Sequence, residues 1–188
     1  LKEPVTEPTN KAARCFYALE QNRADQKRYP AVNPIDSYSK YLEYPEFIEF
    51  AKDKLDENWI ELVNEARNML IRGKETEEQI NILGDDSVPI DYHVTLWKSE
   101  FVDFVILQQD AFDKVDANTS LERQEYMLKK VINVIRSEFK FEGFEEVGTY
   151  FKRLINIFRQ LNYTIFQSEG FHKIEDEANA VLEERRVK

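Results

Sequence analysis

One stripe of apolar residues constrains this chain more than any other feature. Val147, Phe151, Leu154, Ile155, Phe158, Leu161 and Ile165 recur at steps of three and four. That spacing puts them on one side of an α-helix and on neither face of a strand. Leu55, Trp59, Leu62, Val63, Ala66, Met69 and Leu70 repeat the pattern, as do Val94, Trp97, Phe101, Phe104 and Val105. So do Leu121, Leu128, Val131, Ile132, Ile135 and Phe139. Amphipathic segments in such number bury their faces against one another, so the expected fold is an all-α helical bundle.

Local signals divide the bundle. Residues 1–8 read as an extended, proline-bound arm, and Thr9 as the cap of a helix running through Cys15, Phe16, Leu19 and Ala24. Between Tyr29 and Ser39, two prolines bar regular helix while Asn, Asp and Ser supply local backbone hydrogen bonds, which predicts a structured loop. A long helix begins at Pro45 and is expected to stop at Gly73. A shorter one, Thr76 to Leu83, follows, with Thr76 and Gln79 at capping-box spacing. Gly84 to Pro89 breaks the chain, and Asp91 starts a helix through Leu107. Thr119 and Glu122 form a second capping box, Gly143 separates two more helices, and a last charged helix, Glu169 to Lys188, is expected to fray.

Composition narrows the function classes. The 188 residues carry a formal net charge of −10, which argues against a nucleic-acid groove and against binding to anionic lipid. Cys15 is the single cysteine, so no disulfide framework exists and a reducing compartment is the default. No apolar run is long enough to span a membrane. The opening Leu1, inside Lys2-Glu3-Pro4-Val5-Thr6-Glu7-Pro8, reads like a cut through a longer protein.

Few stretches carry chemistry. Gly143 to Thr149 has the glycine spacing of a phosphate loop but lacks the lysine and the preceding strand, so Gly143 reads as the start of a turn. His93 and His172 stand in no metal-ligand spacing with Cys15 and read as structural or surface histidines; no metal site and no catalytic residue are expected. Glu175-Asp176-Glu177 reads as a solvated face. The exception is Ile106 to Asp116. Gln108 and Gln109 offer amides, Ala111 removes bulk, and Phe112 offers a flat face at a helix end. A small residue beside an exposed aromatic makes a slot for a planar ring. On the residues alone, the competing reading has Phe112 tucked into the bundle.

A resemblance favours the slot. Pro30-Ala31-Val32-Asn33-Pro34-Ile35-Asp36-Ser37-Tyr38-Ser39 resembles the signature of rotary ATPase nucleotide-binding subunits, with Pro30, Asn33, Ser37 and Ser39 at its defining positions. Glu3-Pro4-Val5-Thr6 and Phe16-Tyr17-Ala18-Leu19 resemble the segments around it in the catalytic A (alpha) subunit of V-type and A-type ATP synthases. Ile82-Leu83-Gly84-Asp85-Asp86-Ser87 resembles that subunit's acidic lever loop, and Leu107 to Asp116 its adenine-pocket stretch. These motifs lie in the right order across about residues 1–130. Two departures stand out. The family usually carries an aromatic just before Leu-Gln-Gln, where Val105 and Ile106 stand and Phe104 is displaced. Lys40 follows Ser39 where non-catalytic B subunits carry an arginine finger, which favours A over B.

The resemblance implies a C-terminal fragment of the A subunit: residues 1–42 the tail of the nucleotide-binding domain, 43–188 the helical C-terminal domain. It implies that Gln109, Ala111 and Phe112 border the adenine, and that Asp85, Asp86, Ser87 and Val88 touch the central rotor. ATP or ADP with Mg would be the full subunit's cofactor. B subunits in an alternating ring and the rotor stalk would be its partners, on the cytoplasmic side of a membrane. The fragment alone would lack the phosphate loop and be inactive. The competing readings are a non-catalytic B-type subunit and a free-standing helical interaction module.

Overall fold

The computed structural model describes residues 8–9 and 12–187, so Glu3 to Thr6 and most of the N-terminal arm lie outside the described residues. Contacts divide the chain into two compact units, Leu1–Glu61 and Leu62–Lys188. The architecture is all-α, with a single two-stranded ribbon among the described residues.

In the first unit, β1 (Cys15–Phe16) pairs antiparallel with β2 (Tyr38–Ser39), Cys15 opposite Ser39 and Phe16 opposite Tyr38. The helix expected from Thr9 to Ala24 is therefore corrected: the chain is extended at Cys15 and Phe16, and only α1 (Gln21–Asp25) is helical beyond them. The competition is between backbone partners. Arg14 O accepts from Lys40 N at 2.8 Å, Ala18 O from Asn33 N at 2.7 Å, and Ala31 O from Glu20 N at 3.0 Å. Pairing with the proline-bearing loop replaces bonds that a helix would have made within itself. After β2 come a 3-10 turn, Lys40–Glu43, and α2 (Pro45–Lys54), with proline in its first turn.

The long helix expected from Pro45 breaks at Leu55, whose backbone is extended, and Asp56 restarts it by accepting from Asn58 N at 2.8 Å. Helix α3 (Trp59–Leu83) then runs through Gly73 instead of stopping there. A β-carbon on Gly73 would overlap the Ser99 side chain, so this glycine permits a close helix approach; it is no terminator. Thr76 accordingly opens no new helix, and its hydroxyl donates back to Arg72 O at 2.7 Å.

The second unit continues with α4 (Ile90–Val102), a π turn (Asp103–Leu107), α5 (Leu121–Arg136), α6 (Phe144–Tyr163) and α7 (Glu169–Glu183). Helix α6 is the centre of its core: Val147, Phe151, Leu154, Phe158 and Leu161 are fully buried with Phe101, Val131, Val134, Phe171 and Val181. Ile165, the last residue of the expected stripe, lies beyond the helix and is exposed. Gly143 caps α6, and Gly148 lies within it against the Trp97 ring, so the would-be phosphate loop is helix. Helix α5 is capped by Ser120, whose Oγ accepts from Arg123 N at 3.2 Å, one residue later than the expected Thr119. Thr119 instead donates to Asp116 O at 3.0 Å. At the other end of α5, Lys98 Nζ donates to Ile135 O at 2.8 Å and to Ser137 O at 2.7 Å, a cation on terminal carbonyls.

The segment after α7 does not fray. Phe139 and Arg186 form an antiparallel bridge, with Lys140 N donating to Arg185 O at 3.0 Å and Val187 N to Glu138 O at 2.9 Å. Glu175 is not on a solvated face either: it is half-buried and pairs with Lys130 Nζ at 2.6 Å.

Candidate functional site

The expected site residues fall on three structures. In the first unit, Asn33 is buried and organises the signature loop as an Asx turn. Its Oδ1 accepts from Ile35 N at 2.8 Å and Asp36 N at 2.9 Å, and its Nδ2 donates to Asp36 Oδ2 at 3.0 Å. Ser37 Oγ accepts from Ala18 N at 3.0 Å, and Ser39 Oγ from Tyr41 N at 3.3 Å. Pro30 precedes this turn on the exposed side. Ser37 thus ties the loop to the segment after β1, and Ser39 caps the 3-10 turn that follows. Lys40 Nζ lies 5.9 Å from the Tyr38 ring centroid.

The second structure is the tip between α3 and α4. Gly84 adopts φ 88°, ψ 151°, a conformation side chains resist, and so turns the chain sharply into a 3-10 turn, Asp85–Ser87. Asp85, Asp86 and Ser87 are exposed and Val88 half-buried; Ile82 beside them is 81% exposed. His93 is buried beneath this turn. Its ring stacks on Phe144 at 5.0 Å, and Nε2, facing a carbonyl that can only accept, donates to Asp85 O at 3.1 Å. No group of three or more metal-ligating side chains occurs among the described residues.

The third structure begins at the π turn and runs to α5. Gln108 N donates to Asp103 O at 3.0 Å, and the chain then leaves helix. Asp116 is buried and ties the loop together. Its Oδ2 accepts from Asp110 N at 2.6 Å, and its carbonyl from Gln109 Nε2 at 2.7 Å. Asp113 Oδ1 accepts from both Val115 N and Asp116 N at 2.9 Å, and Asp110 Oδ1 from Phe112 N at 2.9 Å. Burial raises the Asp116 pKa, opposed by the Asp110 amide and the charge of Arg123. At the crest Ala111 is exposed and Phe112 is 99% exposed, which excludes the tucked-in reading. Phe104 stands apart from this crest, half-buried under the Arg159 guanidinium at 5.9 Å.

The loop thus gathers Gln109, Ala111 and Phe112 into one hydrogen-bonded unit. The tip residues lie at the opposite end of α4, which with its π turn separates the two by roughly 25 Å at about 1.5 Å per residue. At the crest Phe112 presents an open aromatic face, Ala111 adds little bulk beside it, and Gln109 is held through its Nε2. Gln108 Nε2 is buried with no hydrogen-bond partner, a donor left over at the edge of the same loop. Asp116 and Arg123, which build the loop, were not singled out by sequence. A signal existed, since Arg123 shares the inward face of α5 with Met127 and Val131, and a charge on an apolar face needs a buried partner.

The class follows from comparison with known proteins. Residues 49–141 match the C-terminal domain of V and A type ATP synthase. One similar solved structure, described as a unique ATP synthase subunit NeqB from Nanoarcheaum equitans, superposes with a TM-score of 0.53 at 18% identity, over 70% of this chain and 30% of that one. That likeness concerns the fold alone. The V-type ATP synthase alpha chain of Borrelia duttonii is 34% identical over 99% of this chain and 30% of its own length. Those of Treponema denticola and Protochlamydia amoebophila are 34% and 30% identical over 93% and 100% of this chain. The chain belongs to the V- and A-type ATP synthase family, as a C-terminal region of the alpha, or A, chain. It spans about 30% of the length of the curated relatives it matches.

Proposed function

We infer that this chain is the part of a catalytic A subunit that borders the adenine of bound nucleotide and carries the lever acting on the rotor. Residues 1–42 are read as the tail of the nucleotide-binding domain and 43–188 as the lever domain. The complete subunit would hydrolyse or make ATP, coupled to proton or sodium transport, in a ring alternating with B subunits and set at a membrane surface through the assembled complex. ATP or ADP with Mg would be held chiefly by phosphate-binding parts elsewhere in the subunit, so this region alone should turn over no ATP. Its own contribution is to bind and orient the base: Phe112 stacks, Ala111 leaves room, and Gln109 accepts from the exocyclic amine.

The observation that carries this reading is the presentation of Phe112, fully exposed on a loop whose backbone is held by buried Asp116. A naked aromatic on a hydrogen-bonded loop is poor core design and good stacking design. Phe112→Ala in the full-length subunit should raise the KM for ATP at a cost of about 1–3 kcal/mol, leaving thermal stability nearly unchanged because the ring buries almost nothing. An unaltered KM would reject the stacking role.

A further inference from the structure

We propose that Arg123 and Asn162 are positioning residues that fasten both ends of the Phe112 loop to the C-terminal end of α6. The proposal rests on the reading of residues 108–112 as an adenine-side surface. The two ends of the loop need fastening for different reasons. At its start, the π turn moves the hydrogen-bond ladder by one residue, so Gln108 N reaches back to Asp103 O, and because the helix ends at Leu107 its last carbonyls lack helical N–H donors. Asn162 Nδ2 takes up one of them, donating to Val105 O at 2.9 Å. At the loop's end, Arg123 sits in the first turn of α5 and is only 3% exposed. Its Nη2 donates to Leu161 O at 2.6 Å and to Asn162 O, carbonyls of the last turn of α6, where the helix runs out of its own donors and Leu161 O otherwise accepts only from the capping Thr164 N at 3.2 Å. A guanidinium there also meets the negative end of the helix.

Asn162 is therefore the shared post. Its side chain holds the entry to the loop, and its main-chain carbonyl receives the residue that closes the exit. Between the two anchors the Arg123 charge faces buried Asp116, the residue that bonds Asp110 and Gln109. An aromatic that packs against nothing takes its direction from its backbone, so whatever holds this backbone aims the ring of Phe112.

The test uses the full-length subunit in its assembled complex, comparing Arg123→Met, Arg123→Lys, Asn162→Leu and Phe112→Ala. Arg123→Met and Asn162→Leu should raise the KM for ATP about tenfold, as Phe112→Ala does, with kcat near that of the parent. Arg123→Lys, which can still donate to a carbonyl, should recover part of the loss. Asn162→Leu combined with Phe112→Ala should be no worse than Phe112→Ala alone, because both act through one ring. If Arg123→Met fails to assemble, half-buried Asn162 decides the matter. A raised KM in Phe112→Ala with an unchanged KM in Asn162→Leu would overturn the positioning role. An unchanged KM in Phe112→Ala would instead remove the adenine reading, and the positioning role with it. In that case amide protection at Asp110, Phe112 and Asp116 tells whether the fastening itself is real: it is lost in Asn162→Leu if so, and kept if not.

Discussion

Asp116 shows how one residue can cost stability and still be worth keeping. Its carboxylate is withdrawn from water, and burial raises its pKa above the ordinary carboxylate value of about 3.9. In the folded chain it thus binds its proton more tightly than in the unfolded one. Between the two pKa values the folded state carries the extra proton, so stability rises as pH falls through the folded value and levels off below the unfolded one. Urea denaturation of this chain and of Asp116→Asn should therefore show the parent gaining on the variant as pH is lowered from 7 toward 4. A difference flat across that range would mean that Asp116 is as well solvated folded as unfolded. Nothing local in the sequence marks Asp116 out from Asp110 or Asp113, because which carboxylate is buried depends on Arg123 and α6, distant in sequence.

At the scale of elements, periodicity was legible wherever a helix has one dry side, and α6 was foreseen almost to its last residue. Stops were less legible. Gly73 looked like a terminator because glycine is a poor helix former, yet Ser99 needs the space of its missing side chain, and the helix continues to Leu83. The strand at Cys15 and Phe16 was hidden for a different reason: its partners come from beyond Pro34, and no local pattern reports a pairing across that distance. The uninterrupted α3 matters to the proposed lever, since it gives the acidic tip a stiff support. Push through a stiff helical pair depends on shape more than on charge, because exposed ion pairs contribute only about 0–1 kcal/mol. Asp85→Asn with Asp86→Asn should leave ATP-driven rotation of the assembled complex largely intact. Deleting Asp85 to Pro89 should reduce coupling to ion pumping while ATP binding persists, and full coupling in the shortened subunit would sink the rotor assignment.

For the molecule as a whole, the family was readable from short motifs in order, whereas the bridge that closes the far end of the second unit was not. Spacing puts Phe139 in a helical stripe and charge makes the last residues look like a fraying helix; in the structure the two meet instead. That bridge ties the backbone ahead of α6 to the backbone behind α7. Its arms carry Lys140 on one side and Arg185 and Arg186 on the other, all natural targets for trypsin. A protease needs a stretch of chain released into extended form, and here neither arm can be released without the other. Trypsin should therefore spare these bonds while the α6–α7 hairpin is closed, and cut on both sides together as it opens, at the opening rate once trypsin is in large excess.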